Sequence, residues 1–216
     1  MIRILIVDDH DIVRHGLKRI FEKIQGMKIV AEQDNGIDAL HWLRHNDCDV
    51  VLLDISMPGR NGIEVLKQLR EEKPKLPILI LSNYTEDQYA VRLIKSGAAG
   101  YLTKGCASAV VVEAVRDVAS GKKYFSPAVL EMLANELSMP EGKLPHETLS
   151  NREYQIFRLF ASAKTVTEIA DILNLSGKTV STYRARILEK MNLRNNAELM
   201  QYAVEKHLTE QPWKMQ

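Results

Sequence analysis

The sequence predicts a doubly wound α/β domain built on a five-stranded parallel sheet, followed by a smaller all-α domain. Short apolar runs alternate with helical patterns over residues 1–124, which is typical of parallel strands joined by crossover helices. Beyond residue 148 only helical patterns remain. A chain of 216 residues is long enough for both domains, because one domain usually takes about 100 to 200 residues.

Five apolar runs are the strand candidates of the first domain. The patterns between them place apolar residues at helical spacing, as in Val13, Leu17 and Ile20, which predicts one buried face for each helix. Glycines and prolines between these units are typical of helix C-caps and strand entries. The candidate strands are residues 4–7, 29–31, 50–53, 78–81 and 100–102, and the candidate C-cap glycines are Gly97, Gly100 and Gly121.

A segment of mixed character, residues 125–147, separates the two domains. Pro127 opens a short helix that ends at Leu137, and residues 138–145 then combine two prolines and a glycine with few apolar anchors. That composition is typical of a tether. We therefore predict domains at residues 1–124 and 148–208, joined by this linker, and a frayed tail at residues 209–216.

Helix caps define a four-helix second domain. Ser150 with Glu153, and Thr165 with Glu168, fit the capping box, in which a hydroxyl accepts from a backbone N–H and the glutamate reaches back. Ser176 can cap a third helix. A three-residue turn between the second and third helices is typical of a helix-turn-helix. The predicted helices are residues 166–173 and 177–191, with the turn at 174–176, and about 197–206.

Charge and composition argue against a polycationic nucleic-acid coat protein, an acidic tail protein and a membrane-spanning protein. Lys and Arg number 29 and Asp and Glu number 28, so the net charge is +1 and any nucleic-acid site must be local. The longest apolar runs are far shorter than the roughly 18 residues that a membrane span needs. No signal peptide opens the chain, and Cys48 and Cys106 show no disulfide pattern. We therefore expect a soluble cytoplasmic protein with buried reduced thiols and no membrane partner.

Polar residues end the predicted strands. Asp8 and Asp9 follow the first strand, Asp54 the third, Ser82 the fourth and Lys104 the fifth. Ligands of an open parallel sheet bind outside the carboxyl ends of its strands. If the strand order is 2-1-3-4-5, the first and third strands are neighbours and three carboxylates converge. One such aspartate alone would be interpreted as a helix cap, but five residues of these types at four strand ends indicate a site.

The chemistry of this cluster favours phosphoryl transfer. Three carboxylates repel one another unless a cation is bound, and hard oxygen ligands favour Mg²⁺ over zinc, since no His or Cys ends a strand. Lys104 supplies a positive charge for an anionic group added to a carboxylate, and Ser82 supplies a hydroxyl. Asp54 is the best acceptor because it is centrally placed. Positioning and charge neutralisation account for most of the catalysis in such transfers.

Four motifs lie at these strand ends: Val7-Asp8-Asp9-His10, Leu53-Asp54-Ile55-Ser56-Met57-Pro58 with Gly62, Leu81-Ser82, and Gly97-Ala98-Ala99-Gly100-Tyr101-Leu102-Thr103-Lys104. Over residues 1–124 they resemble the receiver domain of two-component response regulators, which has a flavodoxin-like (βα)5 fold. The resemblance implies that Asp54 accepts a phosphoryl group from a phosphohistidine of a sensor histidine kinase. It also implies that Asp8, Asp9 and Asp54 hold Mg²⁺ together with the backbone carbonyl of Ser56.

The same resemblance implies a switch. Ser82 would move toward the new phosphate and Tyr101 would turn inward behind it, whereas an ordinary edge-strand aromatic is the alternative interpretation of Tyr101. One step departs from the family, because Gly105 rather than proline follows Lys104. A cis peptide is far more costly without proline, so the sequence leaves the conformation of that loop open.

Four motifs also mark the second domain: Leu149-Ser150-Asn151-Arg152-Glu153, Thr167-Glu168-Ile169-Ala170, Leu175-Ser176 and Thr179-Val180. They resemble the helix-turn-helix effector of NarL/LuxR (FixJ)-type regulators over residues 149–204. Ala163 stands where that family usually has a helix-ending glycine, and Ser181 and Tyr183 stand where it often has Lys and His.

The second helix of the helix-turn-helix concentrates basic charge. Its four basic residues outnumber its one acidic residue, Glu189, in a chain whose total charge is only +1. A solvated surface helix is the alternative interpretation, and the family resemblance favours DNA binding. The candidate DNA contacts are Lys178, Thr179, Ser181, Thr182, Tyr183, Arg184, Arg186 and Lys190.

These resemblances imply a phosphorylation-controlled transcription regulator rather than an enzyme. The run Thr179–Arg184 and the opening Met1-Ile2-Arg3 resemble the GacA/UvrY-like branch. Expected partners are the sensor kinase, double-stranded promoter DNA, a second copy of the chain on phosphorylation, and RNA polymerase. Two alternatives are a phosphorylation-independent regulator whose receiver serves in dimerisation or partner binding, and a metal-dependent phosphatase. The phosphatase would need a first-strand nucleophile with a general acid two residues later, whereas Asp8 and Asp9 are adjacent.

Overall fold

The computed structural model describes residues 1–57, 62–137, 144–206 and 208. The chain divides into two compact units, Met1–Met139 and Pro140–Gln216. Three parts of the sequence prediction lie outside the described residues: Pro58 in the third-strand motif, residues 138–143 of the tether, and the tail at residues 209–216. None of the described helices is long and apolar enough to cross a membrane.

A five-stranded parallel sheet in the order β2-β1-β3-β4-β5 forms the centre of the first unit, as predicted. β3 and β4 are buried along their whole length, because both of their faces are apolar and covered. The strands are β1 (Ile2–Val7), β2 (Met27–Gln33), β3 (Val50–Leu53), β4 (Ile78–Ser82) and β5 (Gly100–Thr103).

Five helices join these strands or follow the last one. Leu17 and Phe21 of the first helix pack with Val115 of the fifth against one face of the sheet, so the apolar spacing in the sequence marks the buried faces. The helices are α1 (Asp11–Phe21), α2 (Gly36–His45), α3 (Gly62–Glu72), α4 (Glu86–Lys95) and α5 (Ser108–Ala119).

A sixth helix of the first unit, α6 (Pro127–Leu137), begins and ends where the sequence predicts the linker helix. It packs against α4, and Val129 is fully buried. Ser126 joins the starts of the two helices: its Oγ donates to Oε2 of Glu86 at 2.6 Å and accepts from the backbone N–H of Val129 at 3.2 Å. The helix therefore extends the first unit beyond residue 124.

The glycines between units have different roles. Gly97 and Gly121 have φ values of 101° and 87°, which fits the predicted helix C-caps. Gly100 is not a C-cap, contrary to expectation. It begins β5 and bridges to Tyr124, and a Cβ on Gly100 would lie 2.6 Å from the carbonyl oxygen of Tyr124. Close backbone approach therefore explains this glycine.

Both cysteines are free thiols. Cys48 is buried, and burial raises the pKa of its thiol to about 11, so the thiol is protonated at neutral pH. Cys106 is only half-buried, which differs from the expectation that both thiols are buried.

In the described part of the second unit, four α-helices follow a short 3-10 helix at Pro145–Thr148. Both predicted capping boxes are present, because Ser150 Oγ accepts from the N–H of Glu153 and Thr165 Oγ1 accepts from the N–H of Glu168. In each box the glutamate carboxylate accepts a second hydrogen bond from the backbone N–H of the cap residue. Ser176 caps the third helix as predicted. The helices are α7 (Asn151–Ala161), α8 (Val166–Leu173), α9 (Gly177–Met191) and α10 (Asn196–Glu205).

Ala163, which follows α7, has a left-handed backbone with a φ of 60°. Asn174 and Asn192 also have positive φ and end α8 and α9, but asparagine tolerates this region better than alanine does. The conformation at Ala163 is the one that a helix-ending glycine would adopt without strain. The turn is therefore retained here with a less suitable residue.

Candidate functional site

Strand register brings two of the predicted carboxylates together. Val7 pairs with Leu53, so β1 and β3 end at the same level and Asp8 and Asp54 follow neighbouring strands. The N–H of Asp54 donates to the carbonyl of Val7 at 2.8 Å, which continues the ladder one residue further. Asp8 and Asp54 are 2% and 1% exposed, so the two negative charges lie in a shielded environment.

Lys104 lies between these carboxylates. Its Nζ is 2.8 Å from Oδ2 of Asp54 and 2.8 Å from Oδ2 of Asp8, and its side chain is only 7% exposed. The backbone N–H of Lys104 donates to the carbonyl of Ser82 at 2.8 Å, which continues the pairing of β5 with β4 and directs the lysine to the site. One ammonium group thus neutralises two buried carboxylates.

The pKa values reflect this competition between burial and charge. Burial raises the pKa of Asp54, and the attraction of Lys104 only partly offsets that rise. Burial also lowers the pKa of Lys104, but Asp54 and Asp8 together have the larger effect, so the pKa of the lysine is raised. The ammonium is therefore protonated at neutral pH, and a positive charge is held beside the candidate acceptor oxygen.

The acidic cluster can hold a cation. Asp8, Asp9, His10 and Asp54 each offer a ligand atom, and these atoms lie within 4.8 Å of one another. Oδ2 of Asp8 and Oδ1 of Asp9 are buried, and among the described residues each has only an ion-pair contact, to Lys104 and to His10 respectively. Carboxylate oxygens left in this state fit a hard divalent ion.

His10 is a member of this cluster that the sequence interpretation did not include. Its Nδ1 lies 2.9 Å from Oδ1 of Asp9 and 3.1 Å from Oδ1 of Asp8. The statement that no histidine lies at a strand end is therefore wrong, because His10 is only two residues past the first aspartate and its ring folds back. The adjacency of His10 to the acidic pair was the signal available in the sequence.

The turn after Asp54 is shaped by close backbone contacts. The N–H of Ser56 donates to Oδ1 of Asp54 at 3.0 Å, which fixes the carboxylate and places Ser56 next to the site. A Cβ on Gly62 would lie 1.9 Å from the carbonyl oxygen of Asp54. Only glycine fits at that position, which explains why Gly62 accompanies the motif.

Ser82 and Tyr101 are joined through the backbone of Tyr84. Ser82 is fully buried, and its Oγ accepts from the N–H of Tyr84 at 3.1 Å. The hydroxyl of Tyr101 donates to the carbonyl of Tyr84 at 2.8 Å, and Tyr101 is 1% exposed. Burial raises the pKa of that hydroxyl. Tyr101 therefore points inward rather than lying on the surface. The connection of Ser82 and Tyr101 through the backbone of Tyr84 was not predicted from the sequence.

The second unit presents the candidate DNA contacts on α9. Lys178, Ser181, Thr182 and Arg186 are exposed, while Thr179 is half-buried. The hydroxyl of Thr179 lies 2.7 Å from Ser176 Oγ, so it belongs to the helix cap as well as to the predicted contact face.

Tyr183 and Arg184 are less exposed than this group, and Lys190, although exposed, is engaged in an ion pair. Tyr183 and Arg184 are half-buried, and Nε of Arg184 donates to Oδ1 of Asn196 at 2.6 Å. Lys190 Nζ lies 2.7 Å from Oε2 of Glu153, whose side chain is 5% exposed. Arg184 and Lys190 therefore hold helices of the second unit together, a role that the charge pattern alone did not reveal.

Two family models match this chain. Residues 4–116 match the response regulator receiver domain, and residues 147–203 match the bacterial regulatory proteins of the luxR family. The first match lies within the first unit and includes all of the strand-end motifs, and the second match lies within the second unit.

Relatives and solved structures agree with these matches. The response regulator UvrY of Escherichia coli K12 is 41% identical over 94% of each chain, and the response regulator GacA of Pseudomonas aeruginosa is 40% identical over 94% of this chain and 96% of its own. RcsB from Salmonella enterica serovar Typhimurium, solved bound to promoter rprA with the phosphomimetic BeF3-, is 26% identical with a TM-score of 0.63 over 93% of this chain and 97% of its own.

A second RcsB structure, an RcsB–DNA complex, has a TM-score of 0.57 at 27% identity over 94% of this chain and 98% of its own. The predicted resemblance to the GacA/UvrY-like branch is thus confirmed, as is the expectation of a regulator rather than an enzyme. With its parallel receiver sheet, its acidic cluster and its capped helix-turn-helix, this chain belongs to the two-component response regulators that combine a receiver domain with a LuxR-type DNA-binding domain.

Proposed function

We propose that the chain is a transcription regulator switched by phosphorylation of Asp54, with a phosphohistidine of a sensor histidine kinase as donor. The observation that carries this proposal is the position of Lys104, whose ammonium lies 2.8 Å from Asp54 and from Asp8. That charge is held where a phosphoryl group on Asp54 would bring new negative charge. Transfer of this kind depends mainly on positioning and neutralisation.

The residues at the strand ends would have different roles in the phosphoryl transfer. A carboxylate oxygen of Asp54 forms the new bond to phosphorus, the N–P bond of the donor breaks, and the imidazole leaves with the electron pair. Asp8, Asp9, Asp54 and the carbonyl of Ser56 would hold Mg²⁺, which when bound supplies charge neutralisation for the phosphoryl oxygens. The hydroxyl of Ser82 would donate to the phosphoryl group, and Tyr101 lies behind it.

The second unit would bind double-stranded promoter DNA through α9. Its N-terminal half carries Lys178, Ser181 and Thr182 on an exposed face, the part of a recognition helix that reaches base edges. RcsB, whose structure is similar, is solved with DNA. A homodimer formed on phosphorylation would read an inverted repeat with half-sites about one helical turn apart. RNA polymerase is the further partner that we propose at the promoter, and the cytoplasm is the proposed location.

Labelling with a small phosphodonor tests the acceptor. Acetyl phosphate with Mg²⁺ should produce one acid-stable, base-labile acyl phosphate on the full chain, and chelation of the metal should abolish it. Asp54→Asn should remove the label, whereas Asp49→Asn, a matched aspartate paired with Arg3 away from the cluster, should retain it. Equal labelling of the Asp54→Asn variant would contradict the assignment.

A further inference from the structure

α2 carries a pair of histidines on its exposed face. His41 and His45 are four residues apart, so they lie one above the other on the helix. Their ring centroids are 4.8 Å apart and the ring planes are inclined at 41°. Neither residue belongs to the acidic cluster at the strand ends. The pair is therefore a separate feature of the first unit.

Hydrogen bonding sets the tautomer of one ring. Nδ1 of His45 lies 2.9 Å from the carbonyl oxygen of His41. A carbonyl can only accept, so Nδ1 is the protonated nitrogen and, in the neutral ring, Nε2 keeps its lone pair. Histidines that bind metals usually make such a bond with the nitrogen that does not bind, because it fixes the ring and its tautomer.

The separation of the rings suits two bonds to one metal ion. With metal–nitrogen bonds of about 2.0–2.1 Å, each ring centroid lies about 3.2 Å from the ion, and two rings at 90° to 109° around it have centroids about 4.5 to 5.2 Å apart. The observed 4.8 Å falls within this interval. The spacing of the two rings is therefore compatible with a chelate on one ion.

The surroundings of the pair favour a bound cation. His41 and His45 line an open cavity of about 380 Å³ together with Asp38, and the carboxylate of Asp38 adds negative charge to its wall. Trp42 lines the same cavity, so an ion bound there would lie close to an indole ring. Space remains for water molecules to complete the coordination of the ion.

We propose that His41 and His45 form a chelating site for a divalent transition ion, with water as the remaining ligands. Imidazole nitrogen selects such ions over Mg²⁺, and the general order of affinity places Cu²⁺ highest among the first-row ions. The receiver unit would then carry two cation sites of different chemistry, one of oxygen ligands at Asp54 and one of nitrogen ligands on α2.

Quenching of Trp42 fluorescence by Cu²⁺ tests this site. The chain has two tryptophans, so Trp213→Phe leaves Trp42 as the single reporter. In that background, with excess Mg²⁺ present, Cu²⁺ should quench the emission saturably. His41→Gln or His45→Gln should weaken the binding at least tenfold, and the nitrogen hyperfine pattern of bound Cu²⁺ in electron paramagnetic resonance should change from two nitrogens to one.

His15 on α1 provides a matched control. Its Nδ1 makes the same bond, 2.9 Å from the carbonyl of Asp11, but residues 11 and 19 are not histidines. His15→Gln should leave the quenching curve unchanged. The proposal would be overturned if the double variant His41→Gln/His45→Gln were quenched at the same Cu²⁺ concentration as its parent, or if His15→Gln weakened quenching as much as His41→Gln. Labelling at Asp54 is independent of these outcomes.

Discussion

Nζ of Lys104 lies 2.8 Å from Oδ2 of Asp54, although the two residues follow different strands and are separated by 50 positions in the chain. The same ammonium reaches Asp8 at 2.8 Å. The three groups form a buried set in which one positive charge offsets two negative charges. Any event that adds charge to Asp54 therefore acts directly on Lys104, and through the backbone of Lys104 on β5 and Ser82.

Removal of Lys104 should destabilise the first unit when Mg²⁺ is absent. Lys104→Met leaves Asp8 and Asp54 buried without their cation, and breaking a buried ion pair from one side costs roughly 3–5 kcal/mol. Urea unfolding at neutral pH measures the change. Millimolar Mg²⁺ should recover part of the loss, because an ion that binds only the folded state stabilises it.

Lys18 is the matched surface control for that measurement. It pairs with Glu32 at 3.0 Å, but its side chain is 47% exposed. Lys18→Met should leave the unfolding midpoint nearly unchanged, because exposed ion pairs contribute little. A Lys104→Met variant as stable as the Lys18→Met variant in the absence of metal would show that the buried lysine is not what balances the two carboxylates.

Ala163→Gly should stabilise the second unit. A left-handed φ of 60° strains alanine, and relief of this strain outweighs the extra backbone entropy of glycine by about 0.5 to 1 kcal/mol. Ala185→Gly, at an exposed position inside α9, should instead cost about 1 kcal/mol. Thermal unfolding of the full chain compares the two. Stabilisation by both substitutions, or by neither, would exclude backbone strain at Ala163 as the cause.

The second unit should lose stability as the pH falls below 4.5. Burial tends to raise the pKa of Glu153, but hydrogen bonds from Lys190 and Ser150 outweigh it, so the folded-state pKa lies below its ordinary value of 4.5. A carboxyl with a depressed pKa contributes stability above its unfolded-state value, and that contribution is lost as the pH falls toward the folded-state value.

Glu153→Gln tests this pH dependence, because glutamine can keep the capping box but cannot form the ion pair with Lys190. Unfolding of the variant and the wild type is followed from pH 7 downward. The variant should be less stable at pH 7, and the difference should shrink as the acid range is reached. A constant difference across the range would argue against the ionised carboxylate as the source.

Two kinds of DNA contact are proposed on α9, to phosphates and to base edges, and substitutions at them should affect the salt dependence of DNA binding differently. Lys178→Ala should weaken binding to all duplexes and reduce the slope of log affinity against log salt by about 1, as loss of one phosphate contact does. Thr182→Ala and Arg186→Ala should instead change base preference if those side chains reach base edges. Lys190→Ala should lower the stability of the second unit as well, because Lys190 pairs with Glu153. Identical salt slopes for the wild type and Lys178→Ala would contradict the proposed contact.

Much of the receiver site could be predicted because parallel strands put their carboxyl ends at one edge. Asp8 and Asp54 were found by that rule alone, since their positions depend on backbone register. His10 was missed because its place in the cluster depends on how its side chain folds back. Tyr84 was missed because it contributes backbone atoms, which carry no residue-type signal.

In the second unit, capping boxes gave the helix starts, because a cap joins residues three positions apart and can be read locally. The partners of Lys190 and Arg184 could not be read in the same way. Glu153 lies 37 residues from Lys190, and Asn196 lies 12 residues from Arg184 on another helix. Charge patterns show that a helix is basic, but only the packing shows which of its charges are already engaged.

The central claim, that phosphorylation of Asp54 controls DNA binding, is tested most directly by measuring DNA affinity in parallel for the full-length wild type and the Asp54→Asn variant, each with and without acetyl phosphate and Mg²⁺. The target is a duplex that the protein itself selects from a random pool. The wild type should bind about tenfold more tightly when the phosphodonor is present, a coupling of ordinary size for two linked sites, and the variant should not respond. An equal gain by the Asp54→Asn variant, or no gain by the wild type under conditions that label it, would contradict the claim.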